Sequence, residues 1–103
     1  MDIETVSMTL IAHAGEARRL AFEALAKAKT HDFTEADVLI AESEKEVTLS
    51  HQGQTDLLIN EAKGESTQVN VLLVHSQDHL MTSMLAIDLI KEMIILYKEL
   101  SKK

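Results

Sequence analysis

The chain has 103 residues, 46% of them apolar, with a formal net charge of -7 and no cysteine. A length of this order fits one domain, here taken as residues 1–103, and the apolar share suffices for a compact core with some surface left over for a partner chain. The acidic balance opposes the phosphate-backbone attraction on which nucleic-acid binding depends, and the lack of cysteine removes disulfides, thiolate metal sites and thiol nucleophiles. The beginning of the sequence, Met1-Asp2-Ile3-Glu4, is unlike a secretory signal, and no apolar run approaches the roughly 20 residues of a membrane span. A cytoplasmic protein without membrane insertion is the expectation.

Proline is absent and glycine occurs only at Gly15, Gly53 and Gly64, so local propensity favours helix almost throughout and the breaks must be read from caps. The first helix is predicted over about 3–29, with Ile3, Val6, Leu10, Ala14, Ala17, Ala21, Ala24 and Ala28 recurring at helical spacing. Its alanine-rich stripe suits close helix approach, but alanine is also simply a good helix former. The turn falls in Thr30-His31-Asp32-Phe33-Thr34, where Thr34 and Asp37 fit a capping box.

The second helix, about 35–63, is the most polar, with a discontinuous inner face of Val38, Leu39, Val47, Leu49, Leu57, Leu58 and Ile59. Glu42, Glu44, Lys45 and Glu46 read as its solvated flank, and Gly53 marks a kink or a close helix contact. Gly64 reads as a helix stop, and Glu65-Ser66-Thr67 supplies a hydroxyl cap for the next helix.

The third helix, about 68–100, is apolar around nearly its whole circumference, from Val69 and Val71 through Met81, Leu85, Leu89 and Ile90 to Leu96. A helix apolar all round is a buried helix, and two neighbours in a hairpin cannot cover every face of it. The sequence therefore predicts an all-α fold, a three-helix antiparallel hairpin or bundle, that associates with copies of itself around the third helix.

Within that helix sit His75, Gln77, Asp78 and His79. Ionisable residues among aliphatic ones need partners or a function. At about 100° per residue, Asp78 projects roughly 60° from His75 and His79 lies one turn above it, so the three are neighbours. Gln77 points about 200° from His75 and would serve that imidazole only from an adjacent subunit. Three chemistries suit the cluster: convergence of both histidines and the carboxylate on one metal ion, nucleophilic or acid–base work by a histidine tuned by Asp78, and a hydrogen-bonded network that sets oligomer register. Spacing does not choose among them. His13, His31 and His51 read as packing or surface residues, and Tyr97 carries no assigned role.

The stretch His75-Ser76-Gln77-Asp78-His79-Leu80-Met81-Thr82 resembles the signature of the IIA component of the lactose/cellobiose (N,N'-diacetylchitobiose) family of the bacterial sugar phosphotransferase system. The likeness extends to Ala14-Gly15-Glu16-Ala17-Arg18, to Asp32-Phe33 with Ala36, to His51 through Thr55, and to Glu61-Ala62-Lys63-Gly64. It implies a homotrimer of three-helix hairpins, a nine-helix bundle, in which His75 accepts a phosphoryl group from the phosphocarrier HPr and passes it to a cysteine of the sugar-specific IIB component. The chain would be a phosphotransferase component that relays phosphate for disaccharide uptake and performs no sugar chemistry itself. The same likeness implies that Gln77 steadies the phosphoryl group, that His79 supports it, and that Asp78 from each of three chains gathers at the threefold axis, where a proton or a structural Mg²⁺ would relieve the repulsion. The competing reading is a non-catalytic helical oligomer whose His75, Asp78 and His79 bind metal or set register.

Overall fold

The computed structural model describes residues 2–65 and 67–103. They form three helices, α1 over Ile3–Lys29, α2 over Phe33–Ala62 and α3 over Val71–Ser101, in a rod of 57 × 19 × 19 Å. Cross-links between helices establish the direction of each. The buried hydroxyls of Ser43 and Ser50 donate to the carbonyls of Ala17 and Leu10, so α2 runs back along α1. Lys98 pairs with Asp37 and Lys91 with Glu44, so α3 runs back along α2 and parallel to α1.

Both turns close α1 and α2 with paired backbone bonds. After Lys29 the chain passes through His31 in the left-handed region, at φ 64°, while the N–H groups of His31 and Asp32 donate to the carbonyls of Ala28 and Lys27. After Ala62 the same pattern recurs with Gly64 at φ 87°, its N–H and that of Glu65 reaching Glu61 and Asn60. Glycine is the ordinary residue for that position because it has no Cβ to clash, and the first turn manages it with a histidine.

Two helix starts differ from those predicted. Helix α2 begins at Phe33, not at 35, and the capping pair is Asp32 with Glu35 rather than Thr34 with Asp37: the Asp32 carboxylate accepts from the Glu35 N–H at 3.2 Å. Phe33 packs on the buried core, which draws the first turn of α2 inward. The hydroxyl cap expected for α3 lies partly on Ser66, outside the described residues. Thr67 to Val69 are not helical, and Asn70 caps α3 instead, with its Oδ1 2.8 Å from the Leu73 N–H. Asparagine is among the best N-caps, so α3 starts at Val71 rather than at 68.

The α1 stripe is tightly packed. Ala14, Ala17, Ala21, Ala24 and Ala28 are all fully buried, so close approach, and not propensity alone, accounts for them. One core cluster joins Ala17 through Ala28 to Leu39, Ile87, Ile90 and Ile94, with Tyr97 against its edge; a second joins Leu10 and Ala14 to Leu57 and Leu80. Gly53 serves a close contact, since a Cβ there would stand 3.3 Å from Leu10 Cγ. Of the expected inner face of α2, only Leu39 and Leu57 are buried and Val47 is half-buried; Val38, Leu49, Leu58 and Ile59 are exposed. The polar flank also needs correcting at Glu46, whose carboxylate accepts from His13 Nδ1 at 2.6 Å.

Helix α3 buries only the face of Ser76, Leu80, Ser83, Ile87, Ile90 and Ile94 against its own chain. Its opposite side leaves Val71, Leu85, Leu89 and Leu96 half or more exposed. Within one chain α3 is thus amphipathic in packing although apolar in composition.

Candidate functional site

His75 and Asp78 lie on the outer side of α3, exposed, and the site is not enclosed by this chain. By helical spacing Asp78 falls within the exposed apolar stripe of Val71, Leu85, Leu89 and Leu96, and His75 stands at its edge. A shallow depression formed by Val69, Asn70, Val71 and Val74 adjoins both residues. The expected polar island is therefore a patch on an apolar surface, beginning one turn after the Asn70 cap.

His79, one turn further on, is half-buried between α3 and α1. Its ring centroid is 5.5 Å from that of His75, with the planes tilted by 44°. Beneath it α1 presents Gly15: a Cβ at that position would be 3.2 Å from His79 Nε2. Burial holds the His79 imidazole below the usual histidine range, the charges of Arg18 and His75 act in the same direction, and the Asp78 carboxylate opposes them. The environment of His79 thus favours its neutral form, and its ring lies beside that of His75.

Gln77 is elsewhere. It faces the groove between α2 and α3, where Gln54 Nε2 donates to its Oε1 at 2.7 Å. The groove, about 240 Å³, is lined by Leu57, Leu58, Val69 and Leu73 among others, and His75 is not part of it. The cluster thus divides as the helical spacing requires, with His75, Asp78 and His79 on one side and Gln77 on another.

One chemistry that spacing allowed is not assembled. Among the described residues no three histidine, cysteine, aspartate or glutamate side chains gather so as to hold a metal ion. His75, Asp78 and His79 are consecutive neighbours on the helix surface, but His79 turns inward to α1 while Asp78 turns out, so they do not converge on one cation within a chain.

Three residues with a structural part in the site had been assigned none. Gln54 follows Ser50 by four residues and precedes Leu57 by three, which places it on the inward face of α2. Gly15 is a helix-interior glycine, a residue that costs stability unless something needs the space. Arg18 is one turn from Gly15, and its charge is felt at His79.

The sequence model for the lactose/cellobiose-specific IIA subunit of the phosphotransferase system matches residues 5–98. The chain belongs to that family. It is 40% identical to the lactose-specific EIIA component of Staphylococcus epidermidis over 98 residues, covering 95% of this chain and 94% of the relative. The crystal structure of the cellobiose-specific enzyme IIA of Bacillus anthracis superposes with a TM-score of 0.97 at 40% identity, covering 100% of this chain and 94% of that one. The IIA chitobiose protein of the Escherichia coli phosphotransferase system, solved in solution in complex with HPr, matches with a TM-score of 0.85 at 42% identity over 98% of each chain. As in those IIA structures, the three helices account for the fold. No helix among the described residues is long and apolar enough to cross a membrane.

Proposed function

We propose that this IIA component is a phosphoryl carrier: His75 takes a phosphoryl group from phospho-HPr and delivers it to the cysteine of a sugar-specific IIB component, for uptake of a disaccharide of the lactose, cellobiose or chitobiose type. The observation that carries this reading is the exposed His75 on an open, mainly apolar face with His79 at ring-contact distance. Family membership and the HPr complex of a relative support it.

In the first transfer, a ring nitrogen of His75 attacks phosphorus while the bond to the donor breaks, so an N–P bond replaces the donor bond. In the second, the cysteine sulfur attacks and the N–P bond breaks. Little covalent chemistry falls to the protein beyond supplying the nucleophile, and alignment and charge stabilisation carry the rate. His79 sets its ring beside the acceptor and limits how the His75 imidazole can turn. Gln77 supplies its amide to the phosphoryl oxygens across a subunit interface, because in its own chain it faces the α2–α3 groove.

That last role requires assembly, and the exposed stripe on α3 supports a trimer packed around it. Asp78 would then approach its two copies at the axis. One chain offers one carboxylate there, which is not a donor set for Mg²⁺; three chains together would be one, and a bound ion or shared protons would relieve the repulsion. The ion's contribution would be structural, and His75 would remain free to accept phosphate.

Incubation with phosphoenolpyruvate, enzyme I and HPr, followed by mass spectrometry, tests the carrier reading. One acid-labile phosphate per chain is expected, absent in His75→Ala. Absence of label in the unaltered protein, or label that survives that substitution, would overturn it.

A further inference from the structure

We propose that Gln54 is a positioning residue that, together with Ser76, holds the Gln77 amide with its donor end available to a phosphoryl group; this rests on the reading that Gln77 serves that group. A glutamine amide has a donor end and an acceptor end of nearly equal size, and only its hydrogen-bond partners decide which way it points. In the α2–α3 groove the partners decide it through a chain that begins at the backbone.

The Ser76 hydroxyl lies 2.6 Å from the Leu73 carbonyl oxygen, which can only accept, so the hydroxyl proton is committed there. Ser76 is fully buried, and its Oγ is left as an acceptor. The Gln77 atom 3.3 Å from that Oγ must therefore be the donor end, Nε2. Its Oε1 is then the atom facing α2, and it accepts from Gln54 Nε2 at 2.7 Å. With Oε1 occupied by Gln54 and one Nε2 proton directed at Ser76, the second Nε2 proton remains to be offered outward.

The groove strengthens this arrangement. Leu57 and Leu73 line it, and hydrogen bonds are electrostatically stronger where water is partly excluded. Gln54 is the only α2 residue that bonds to Gln77 among the described residues. An anionic phosphoryl oxygen arriving from a neighbouring chain would meet an N–H already oriented, whereas a reversed amide would present a carbonyl oxygen to it and repel it.

The test uses Gln54→Glu, which keeps size but can only accept when ionised, so that its carboxylate opposes Gln77 Oε1 and either reverses the amide against Ser76 or drives it from the groove. Gln54→Leu removes the partner without reversing the amide. The rate of His75 phosphorylation by phospho-HPr is measured in both, in Gln77→Leu, and in each Gln54 variant combined with Gln77→Leu, with thermal melting of each as the control for folding. Loss of one oriented donor costs about 10²- to 10³-fold at the oxyanion hole of acyl-transfer enzymes, and in a loose phosphoryl transition state the charge is spread over three oxygens, so Gln77→Leu and Gln54→Glu should fall by about 10- to 100-fold and Gln54→Leu by less. In the Gln77→Leu background the Gln54 changes should have no further effect, since nothing remains to be positioned.

A wild-type rate in Gln54→Glu, or losses that persist undiminished in the Gln77→Leu background, would overturn the assignment. Failure of the unaltered protein to label at all would strike the carrier reading instead, so the two failures are distinguishable.

Discussion

A glycine within a helix gives up about 1 kcal/mol relative to alanine, and at Gly15 that loss is what lets the His79 ring lie against the backbone of α1. Gly15→Ala should leave melting unchanged or slightly raised, while the added Cβ, 3.2 Å from Nε2, moves the imidazole by a few tenths of an ångström. The expected result is a several-fold slower phosphorylation of His75 together with an altered His79 titration in proton NMR. His79 also makes stability depend on pH. Its folded-state affinity for a proton is below that of the unfolded chain, so the unfolded state binds more protons as pH falls through the unfolded value of about 6.5. Stability should therefore be full above that pH and decline on acidification until the folded-state value is passed, a decline that His79→Gln would reduce in pH-dependent denaturation curves. The division of His75 from Gln77 could be read from helical spacing alone. The roles of Gly15 and Gln54 could not, because both depend on contacts made across helices that are far apart in sequence.

At the level of elements, the turn between α1 and α2 carries the clearest prediction. Asp32 serves both helices, its N–H closing α1 and its carboxylate capping α2. Asp32→Ala should cost about 1 kcal/mol by removing the cap. His31→Gly should raise stability by about 0.5 kcal/mol or more, because a left-handed backbone is strained for a residue with a Cβ and the gain exceeds glycine's added freedom when unfolded. Both are read in thermal or denaturant melts. Helix number and type were legible in the sequence because the lack of proline, the cluster of turn residues at 30–34, Gly64 and the apolar spacing agreed with one another. The exact starts of α2 and α3 were not, since several adjacent residues can cap and tertiary packing of Phe33 selects among them. The inner face of α2 was overcounted for a related reason: α2 and α3 touch each other far less than each touches α1, so much of what composition marks as core is open in one chain.

For the whole molecule, the proposed trimer rests on the open stripe of α3. Leu89→Glu places a charge on that stripe and should convert the proposed trimer to smaller species in sedimentation experiments, without loss of helix content. Asp78→Leu should do the reverse, because the carboxylate lies within the same apolar stripe: an assembly more resistant to dilution and indifferent to EDTA and Mg²⁺. If EDTA abolished phosphoryl transfer in the unaltered protein while the trimer stayed intact, a purely structural ion would be the wrong assignment.

The buried alanines of α1 also bear on how this protein can change over time. Ala14, Ala17, Ala21, Ala24 and Ala28 have no exposed surface, and a larger side chain at any of them would have to wedge two helices apart. Ala12 and Ala26 on the same helix face solvent and carry no such restriction. A library covering every substitution should therefore show a strict periodic intolerance along α1, with only glycine and serine surviving at the five positions, and near-indifference at the other two. The register of the hairpin thus rests on one stripe of small side chains, and the room for substitution lies on the solvent faces of α1 and α2.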